Sequence, residues 1–279
     1  MFVVPHLIGI ANLDSEQETI IKVCGMTDEN EVKEALTGGV DMIGLIFAKS
    51  TRSVSQERAK KIVDVVRRYG ERDERISFKK VISAVMEDVD KRGDESIGKY
   101  WYRKMAAHIK GVTRRTPLTV GVFQDQSVEE INEIVESTGI DVVQLHGQEG
   151  PEEIRRINAP CIKVLHIAAV GGNGQSSSDE SILSEANEFV SRAVALLLDT
   201  KVGDSSTSGG TGVTFDWELV ERIDIPVILA GGLHEGNVID ALKVRGVIGV
   251  DASSGLEISA GKKDMSKLMN YASKIRKLK

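Results

Sequence analysis

Eight short apolar runs, each followed by a helix-like segment, restrict the folds open to this chain of 279 residues. Such near-continuous apolar runs are typical of parallel strands that are covered on both faces. The runs are Ile20 to Cys24, Met42 to Phe47, Leu118 to Phe123, Val142 to Leu145, Cys161 to Ile167, Val194 to Leu198, Val227 to Ala230 and Val247 to Val250. The helix-like segments between the runs include Glu152 to Asn158 and Asn237 to Val244. Eight strands alternating with helices predict an α/β protein, a single closed TIM (β/α)8 barrel over residues 1–279. An open doubly wound sheet is disfavoured because no Gly-x-Gly-x-x-Gly sequence follows the first strand.

Residues 71–117 interrupt this alternation between the second helix and the third strand. The segment is rich in charge, yet Phe78, Val81 and Val85 recur at the spacing of an amphipathic helix with one buried face. We therefore expect an ordered helical insertion. Because it joins a helix to the next strand, it should lie at the amino-terminal face of the barrel. A second irregular stretch, residues 171–178, is rich in glycine and serine and is predicted to be a flexible loop.

Composition excludes several classes of function. A net charge of −6 and an aromatic content of 4% argue against nucleic-acid and membrane partners. No stretch approaches the roughly 18 consecutive apolar residues of a membrane helix. The two cysteines and five histidines form no closely spaced ligand pairs, so neither a disulfide framework nor a metal centre is expected. A cytoplasmic, reducing compartment is the expected location, although targeting in a longer precursor stays open.

Two strand ends carry side chains that suit proton transfer, because the loops after the strands form the active site of such barrels. Cys24 ends the first strand, where it is either a base or nucleophile with a lowered pKa or a small buried apolar group. Asp199 follows a run of apolar residues in the sixth strand. A carboxyl group there is costly unless it is paired or functional, which favours a functional role.

Two further loop residues have open roles at this point. Arg52, after the second strand, is either a clamp for a carboxylate or aromatic ring or an ordinary solvated arginine. His146, at the end of the fourth strand, is either an acid–base group or a hydrogen-bonded structural residue.

The last two strand ends give the most specific local signal. Gly231 and Gly232 follow the seventh strand, and Ser253 and Ser254 follow the eighth. Glycines allow backbone N–H groups to approach an anion closely, and hydroxyls and a helix start add donors. Loops seven and eight form a recurrent phosphate site in barrel enzymes, so we predict a phosphorylated small-molecule substrate. Asp251 is expected to be a structural partner, for instance of Lys22, and residues 203–212 could close over a ligand.

Taken together, these stretches resemble the phosphoribosylanthranilate isomerase family of tryptophan biosynthesis. The resemblance covers about residues 20–70 and 118–277 and leaves the insertion and the first 19 residues unassigned. It is carried by Ile21–Thr27, Asp41–Phe47, Ser50–Val54, Val120–Phe123, Val143–Gly147, Leu198–Asp199, Gly209–Gly212, Leu229–Leu233 and Gly249–Glu257.

The resemblance implies a cofactor-free Amadori rearrangement of N-(5-phosphoribosyl)anthranilate to the corresponding aminoketose. By the same resemblance, Asp199 is the general acid, Cys24 the general base, and Arg52 the residue that holds the anthranilate. Gly231, Gly232, Ser253 and Ser254 would hold the phosphate. His146 is then expected to act outside direct substrate contact, and Cys161 to be a buried apolar group. Association with other enzymes of the tryptophan pathway is a further expectation from the resemblance.

Two alternatives remain. The related isomerase of histidine biosynthesis would end its first strand in Asp, whereas this chain has Cys24. A catalytically inactive barrel that serves as a scaffold through residues 71–117 would not need Cys24, Arg52, Asp199 and both glycine loops together.

Overall fold

The computed structural model describes residues 19–70, 85, 97–168, 179–201 and 217–278. The remaining residues include the predicted helix around Phe78 and Val81, the loop at 171–178 and the glycine loop at 203–212. Those three predictions therefore lie outside the described residues.

Eight parallel strands close into a barrel in sequential order, as the alternation of strands and helices predicted. The strands are β1 (Ile20–Cys24), β2 (Met42–Ile46), β3 (Leu118–Phe123), β4 (Val142–Leu145), β5 (Cys161–Ala168), β6 (Ala195–Lys201), β7 (Val227–Ala230) and β8 (Val247–Ala252). The barrel closes where Lys22 of β1 lies opposite Met42 on one side and Asp251 of β8 on the other.

Helices follow most of the strands and cover the outside of the barrel. They are α1 (Glu29–Thr37), α2 (Gln56–Arg67), α3 (Ile97–Thr113), α4 (Val128–Thr138), α5 (Pro151–Arg156), α6 (Asp179–Glu188), α7 (Val238–Ala241) and α8 (Met265–Arg276). Short 3-10 helices occur at Trp217–Arg222 and Ser254–Leu256, and a small hairpin pairs β9 (Glu257–Ser259) with β10 (Lys262–Lys263). None of the helices within the described ranges is both long and apolar enough to cross a membrane.

The strands bury apolar side chains on both faces, which explains their continuous apolar sequences. One core lies between the barrel and its helices and includes Ile21, Val23 and Ile43. A second core fills the barrel interior and includes Ile20 and Met42. Alternate residues of each strand thus serve different cores.

Helix α3, within the predicted insertion, closes the amino-terminal end of the barrel. Its Trp101, Met105 and Ile109 belong to the interior core, and Val85 joins the same cluster. The indole Nε1 of Trp101 donates to the carbonyl of Ala193 at 3.1 Å, just before β6 begins. Helix α3 therefore lies at the amino-terminal face, where the segment was predicted to be.

Two predicted helices are wrong in their bounds. The sequence predicted a helix from Glu152 to Asn158, but Asn158 donates its backbone N–H to Asn132, and α5 ends at Arg156. The prediction of Asn237 to Val244 shrinks to the four residues of α7. The Asn237 side chain there binds the backbone of His234 and Gly232, which builds a loop rather than a first helical turn.

Candidate active site

All seven predicted site residues line one cavity at the carboxyl-terminal end of the barrel. The cavity measures about 560 Å³ and opens to solvent. Its walls include Cys24, Arg52, Asp199, Gly231, Gly232, Ser253 and Ser254. They come from the ends of β1, β6, β7 and β8 and from the loop after β2, so the barrel joins positions that are distant in sequence.

A buried ion pair forms the floor beneath Cys24. Lys22 Nζ lies 2.8 Å from Asp251 Oδ2, and the Lys22 side chain is fully buried. Burial alone would lower the pKa of Lys22, but Asp251 and Cys24 hold it above its usual value, so the amine stays charged. The expected pairing of Lys22 with Asp251 is therefore present. Asp251 also reaches the cavity wall, which the sequence did not indicate.

The sequence left open whether Cys24 is a group with a lowered pKa or a buried side chain, and in the structure burial dominates. Burial raises the pKa of its thiol above the usual value, and the positive charges of Lys22 and Lys263 offset this only in part. The strand end that brings Cys24 close to two lysines also removes it from water. At neutral pH the resting group is therefore the thiol, and its thiolate is a minor species stabilised by the two lysines.

Two glycines make room for Cys24 and for the arginine beside it. A Cβ at Gly44 of β2 would lie 2.9 Å from Cys24 Sγ, which is closer than real contacts allow. Gly25 has φ +75°, and a Cβ there would lie 2.9 Å from Arg52 Cδ. Neither position accepts a larger residue without moving the site.

Arg52 is held from behind by a network that reaches the hairpin of β9 and β10. Its Nε and Nη2 atoms donate to both carboxylate oxygens of Glu257 at 2.8 to 3.1 Å. Lys263 Nζ binds the same carboxylate at 2.9 Å and the carbonyl of Ser253 at 3.2 Å. Burial alone would raise the pKa of Glu257, but hydrogen bonds from Arg52 and Lys263 lower it to about 2. Arg52 is thus a positioned cation at the cavity wall rather than a solvated loop residue.

The loop after β7, with Gly231 and Gly232, and the loop after β8, with Ser253 and Ser254, are together called the glycine–serine loops, and their backbones differ. Gly231 and Gly232 both have positive φ, at 89° and 62°. The Ser253 hydroxyl donates to the carbonyl of Cys24 at 3.0 Å, so it fixes the end of β1, while Ser254 is exposed. The helix start expected after these serines is only the turn Ser254–Leu256.

Two histidines face the carboxyl group of Asp199 at the opposite wall. His146 Nε2 lies 3.8 Å and His166 Nδ1 3.9 Å from Asp199 Oδ2. Burial, followed by the charges of His166 and Lys22, lowers the pKa of His146 to about 4, so its ring is neutral at neutral pH. The sequence showed no close histidine pair because these residues come from two adjacent strands. Within the described ranges, these three residues form the one cluster of His, Cys, Asp and Glu compact enough for a metal ion.

Comparison with known proteins agrees with this arrangement. A sequence model described as N-(5'-phosphoribosyl)anthranilate isomerase matches residues 73–274. The chain is 32% identical over 264 residues to the N-(5'-phosphoribosyl)anthranilate isomerase of Wickerhamomyces anomalus, covering 90% of this chain and 97% of that one. The chain belongs to the phosphoribosylanthranilate isomerase family.

A solved member of the phosphoribosylanthranilate isomerase family has the same fold. The crystal structure from Thermotoga maritima aligns with a TM-score of 0.64 and 25% identity, covering 93% of this chain and all of that one. A longer relative, the tryptophan biosynthesis protein TRP1 of Phytophthora nicotianae, is 37% identical over 259 residues. That alignment covers 90% of this chain, but the chain spans less than half, 46%, of that relative's length.

The isomerase family model covers Asp199 and both glycine–serine loops, whereas Cys24 and Arg52 precede the matched residues. It also covers most of residues 71–117, which the motif resemblance had left unassigned. Sequence reasoning missed Glu257 and Lys263, which hold Arg52, and His166, which faces Asp199. Glu257 is the last residue of the resembling stretch Gly249–Glu257, but nothing in that stretch indicated a role for it. His166 lies one residue before the end of the predicted fifth strand, where an inward side chain faces Asp199.

Proposed function

We propose that this chain catalyses the isomerisation of N-(5-phosphoribosyl)anthranilate to 1-(2-carboxyphenylamino)-1-deoxyribulose 5-phosphate. The observation that carries the proposal is that Cys24 and Asp199 line one cavity together with both glycine–serine loops. An acid, a base and a phosphate site on different strand ends are what an aldose-to-ketose rearrangement of a sugar phosphate requires.

Asp199 is the proposed general acid. Its carboxyl proton passes to the ring oxygen of the ribose while the bond from C1′ to that oxygen breaks. The nitrogen lone pair then forms the Schiff base, and the ring opens. The side chain is partly exposed at the cavity wall, so a substrate can reach it.

Cys24 is the proposed general base. Its thiolate removes the proton from C2′, and the electron pair of that C–H bond moves to give an enolamine, which tautomerises to the ketone. Lys22 and Lys263 favour the thiolate against the cost of burial. Oxidation at C2′ balances reduction at C1′ within one molecule, so the steps need proton transfers only and no cofactor enters them.

The two charged ends of the substrate fit different loops of the cavity. The phosphate would lie against Gly231, Gly232, Ser253 and Ser254, where Ser254 offers an exposed hydroxyl. The carboxylate of the anthranilate would meet Arg52, which Glu257 and Lys263 keep oriented. Two anchored ends fix C1′ and C2′ between the acid and the base.

The test is the loss of anthranilate-adduct fluorescence in the presence of purified protein and EDTA. We expect Cys24→Ala and Asp199→Ala each to lower kcat by about 10²–10⁴-fold, the range of a lost proton-transfer group. Cys161→Ala and Asp240→Ala are matched controls, because Cys161 lies in the core outside the barrel and Asp240 is an exposed residue of α7. A folded wild-type protein without activity would contradict the proposal and favour a scaffold role.

The setting of this activity is part of the proposal. We propose that residues 71–117 act as part of one barrel domain, because α3 shares its interior core. Both cysteines are free thiols, which agrees with a reducing cytoplasmic compartment. The greater length of the Phytophthora relative supports association with other enzymes of tryptophan biosynthesis.

A further inference from the structure

Three potential metal ligands meet at the carboxyl ends of three neighbouring strands. His146 directly follows β4, His166 lies in β5 and Asp199 in β6, where His166 and Asp199 are register partners. One ligand atom from each residue falls within 4.8 Å of the other two. All three side chains are partly exposed, at 31%, 23% and 27%, although the Nδ1 atom of His166 is itself buried.

The hydrogen bond of His166 fixes which ring nitrogen is available. Its Nε2 lies 3.2 Å from the carbonyl oxygen of His146, which can only accept a hydrogen bond. The neutral ring therefore carries its proton on Nε2 and has a lone pair on Nδ1. That Nδ1 is buried, has no hydrogen-bond partner, and faces Asp199. A histidine whose second nitrogen donates to a backbone carbonyl is the usual arrangement of a metal ligand.

The spacing suits a small divalent ion. A metal about 2.0–2.2 Å from each of three ligands needs them roughly 3–3.5 Å apart. The separations from Asp199 are 3.8 and 3.9 Å, and the three ligand atoms lie within 4.8 Å of one another, so the side chains must move toward a common centre when a metal binds. Two imidazoles and one carboxylate are a ligand set that Zn²⁺ and Co²⁺ accept, with the fourth position open to the cavity.

We propose that His146, His166 and Asp199 form a binding site for a divalent transition metal, and that the bound metal inhibits the enzyme. Binding of the metal stands on the geometry of the three residues alone. Inhibition rests on the proposed function, because the metal would take the carboxylate that serves as the acid. The site is thus one for a reversible inhibitor rather than for a catalytic cofactor.

Binding is tested first, on EDTA-treated and dialysed protein, by titration calorimetry with ZnCl₂ and by the visible spectrum of added Co²⁺. We expect one equivalent to bind, and His146→Gln and His166→Gln each to weaken binding by at least about tenfold. His108→Gln is the matched control, because His108 lies on α3 at the other end of the barrel. Thermal melting curves check that each variant is folded.

Cys24 is the main competing ligand in the same cavity, so Cys24→Ser is titrated as well. Two results support the His–His–Asp site: unchanged affinity in Cys24→Ser, and a Co²⁺ spectrum of the wild-type protein without a thiolate charge-transfer band. Loss of binding in Cys24→Ser, or full binding in folded His166→Gln and His146→Gln, would overturn the proposal.

Inhibition is then measured with the fluorescence assay. We expect Zn²⁺ at saturation to lower the rate by at least about tenfold, EDTA to restore it, and the residual rate of His166→Gln to lose this sensitivity. Binding without any effect on the rate would overturn the inhibitory part. If the protein has no isomerase activity, the calorimetric result still decides the metal site, so the two proposals fail separately.

Discussion

The two ends of this barrel differ in the side chains that fill them: the amino-terminal end, here called the plugged end, is filled by apolar side chains, and the carboxyl-terminal end, here called the open end, holds polar and charged ones. At the amino-terminal end, α3 inserts Trp101, Met105 and Ile109 into the interior core, and these side chains are almost fully buried. At the carboxyl-terminal end the same barrel holds an open cavity lined by Cys24 and Asp199, with the buried pair Lys22–Asp251 beneath them. One end gains stability from apolar burial, while the other holds charges and a thiol in surroundings that cost stability.

The difference shows how one fold separates stability from chemistry. Substitutions that remove apolar side chains at the plugged end lower the free energy of unfolding. Residues at the open end can be changed with large effects on rate and smaller effects on folding. Variants that affect one property alone test this separation.

Trp101→Ala should have the largest effect on folding. Removing a fully buried indole lowers stability by about 3–5 kcal/mol, through lost burial and the cavity that remains. Chemical denaturation measures this loss. We expect kcat, measured well below the melting temperature, to stay within about twofold of wild type.

The matched control for Trp101 is Tyr102→Phe on the same helix. This change removes only the hydroxyl that binds the carbonyl of Gly246 at 3.2 Å and should cost about 1 kcal/mol. A large fall in kcat for folded Trp101→Ala would show that the plugged end contributes to the chemistry, and would contradict the separation of stability from catalysis between the two ends.

The sequence predicted the bounds of the strands better than those of the helices. Strand bounds at β1, β3, β4 and β7 agree with the predicted runs because strands covered on both faces must be apolar throughout. Helix bounds such as those of α7 were less accurate, because the Asn237 side chain decides them through local hydrogen bonds.

At the open end, the sequence predicted which residues meet but not how each is held. Fold topology brings strand ends together, so Cys24 and Asp199 could be placed in one cavity. The pairing of Arg52 with Glu257 joins residues 205 positions apart through a hairpin that no periodicity indicated. The raised pKa of Cys24 depends on burial set against two lysines, a balance that residue types alone do not give.

Glu257→Gln should have the next largest effect, confined to the open end. The amide loses the charge that holds Arg52 in a bidentate pair, and hydrogen bonds to charged groups are worth about 1.5–3 kcal/mol. We expect KM for the anthranilate substrate to rise by about tenfold or more, with a smaller change in kcat. Steady-state kinetics measure both constants.

The control for Glu257 is Glu29→Gln, which breaks an exposed pair with Arg58 at 2.7 Å. Exposed pairs contribute about 0–1 kcal/mol, so neither KM nor kcat should change. Equal effects of the two variants would show that Glu257 does not act through Arg52.

The smallest expected effect concerns the protonation of Cys24, measured by alkylation of its thiol in the Cys161→Ala protein. Because burial raises the pKa of Cys24 above its usual value, the thiol is neutral below that value. The thiolate fraction, and with it the alkylation rate, should therefore rise about tenfold from pH 7 to pH 8. This corresponds to a change of about 1.4 kcal/mol in the free energy of deprotonation. A plateau below pH 8 would mean that Lys22 and Lys263 outweigh burial, and the open end would then favour the charged base even at rest. Replacing Lys263 by Met should slow alkylation further at each pH, because it removes one of the two positive charges that favour the thiolate.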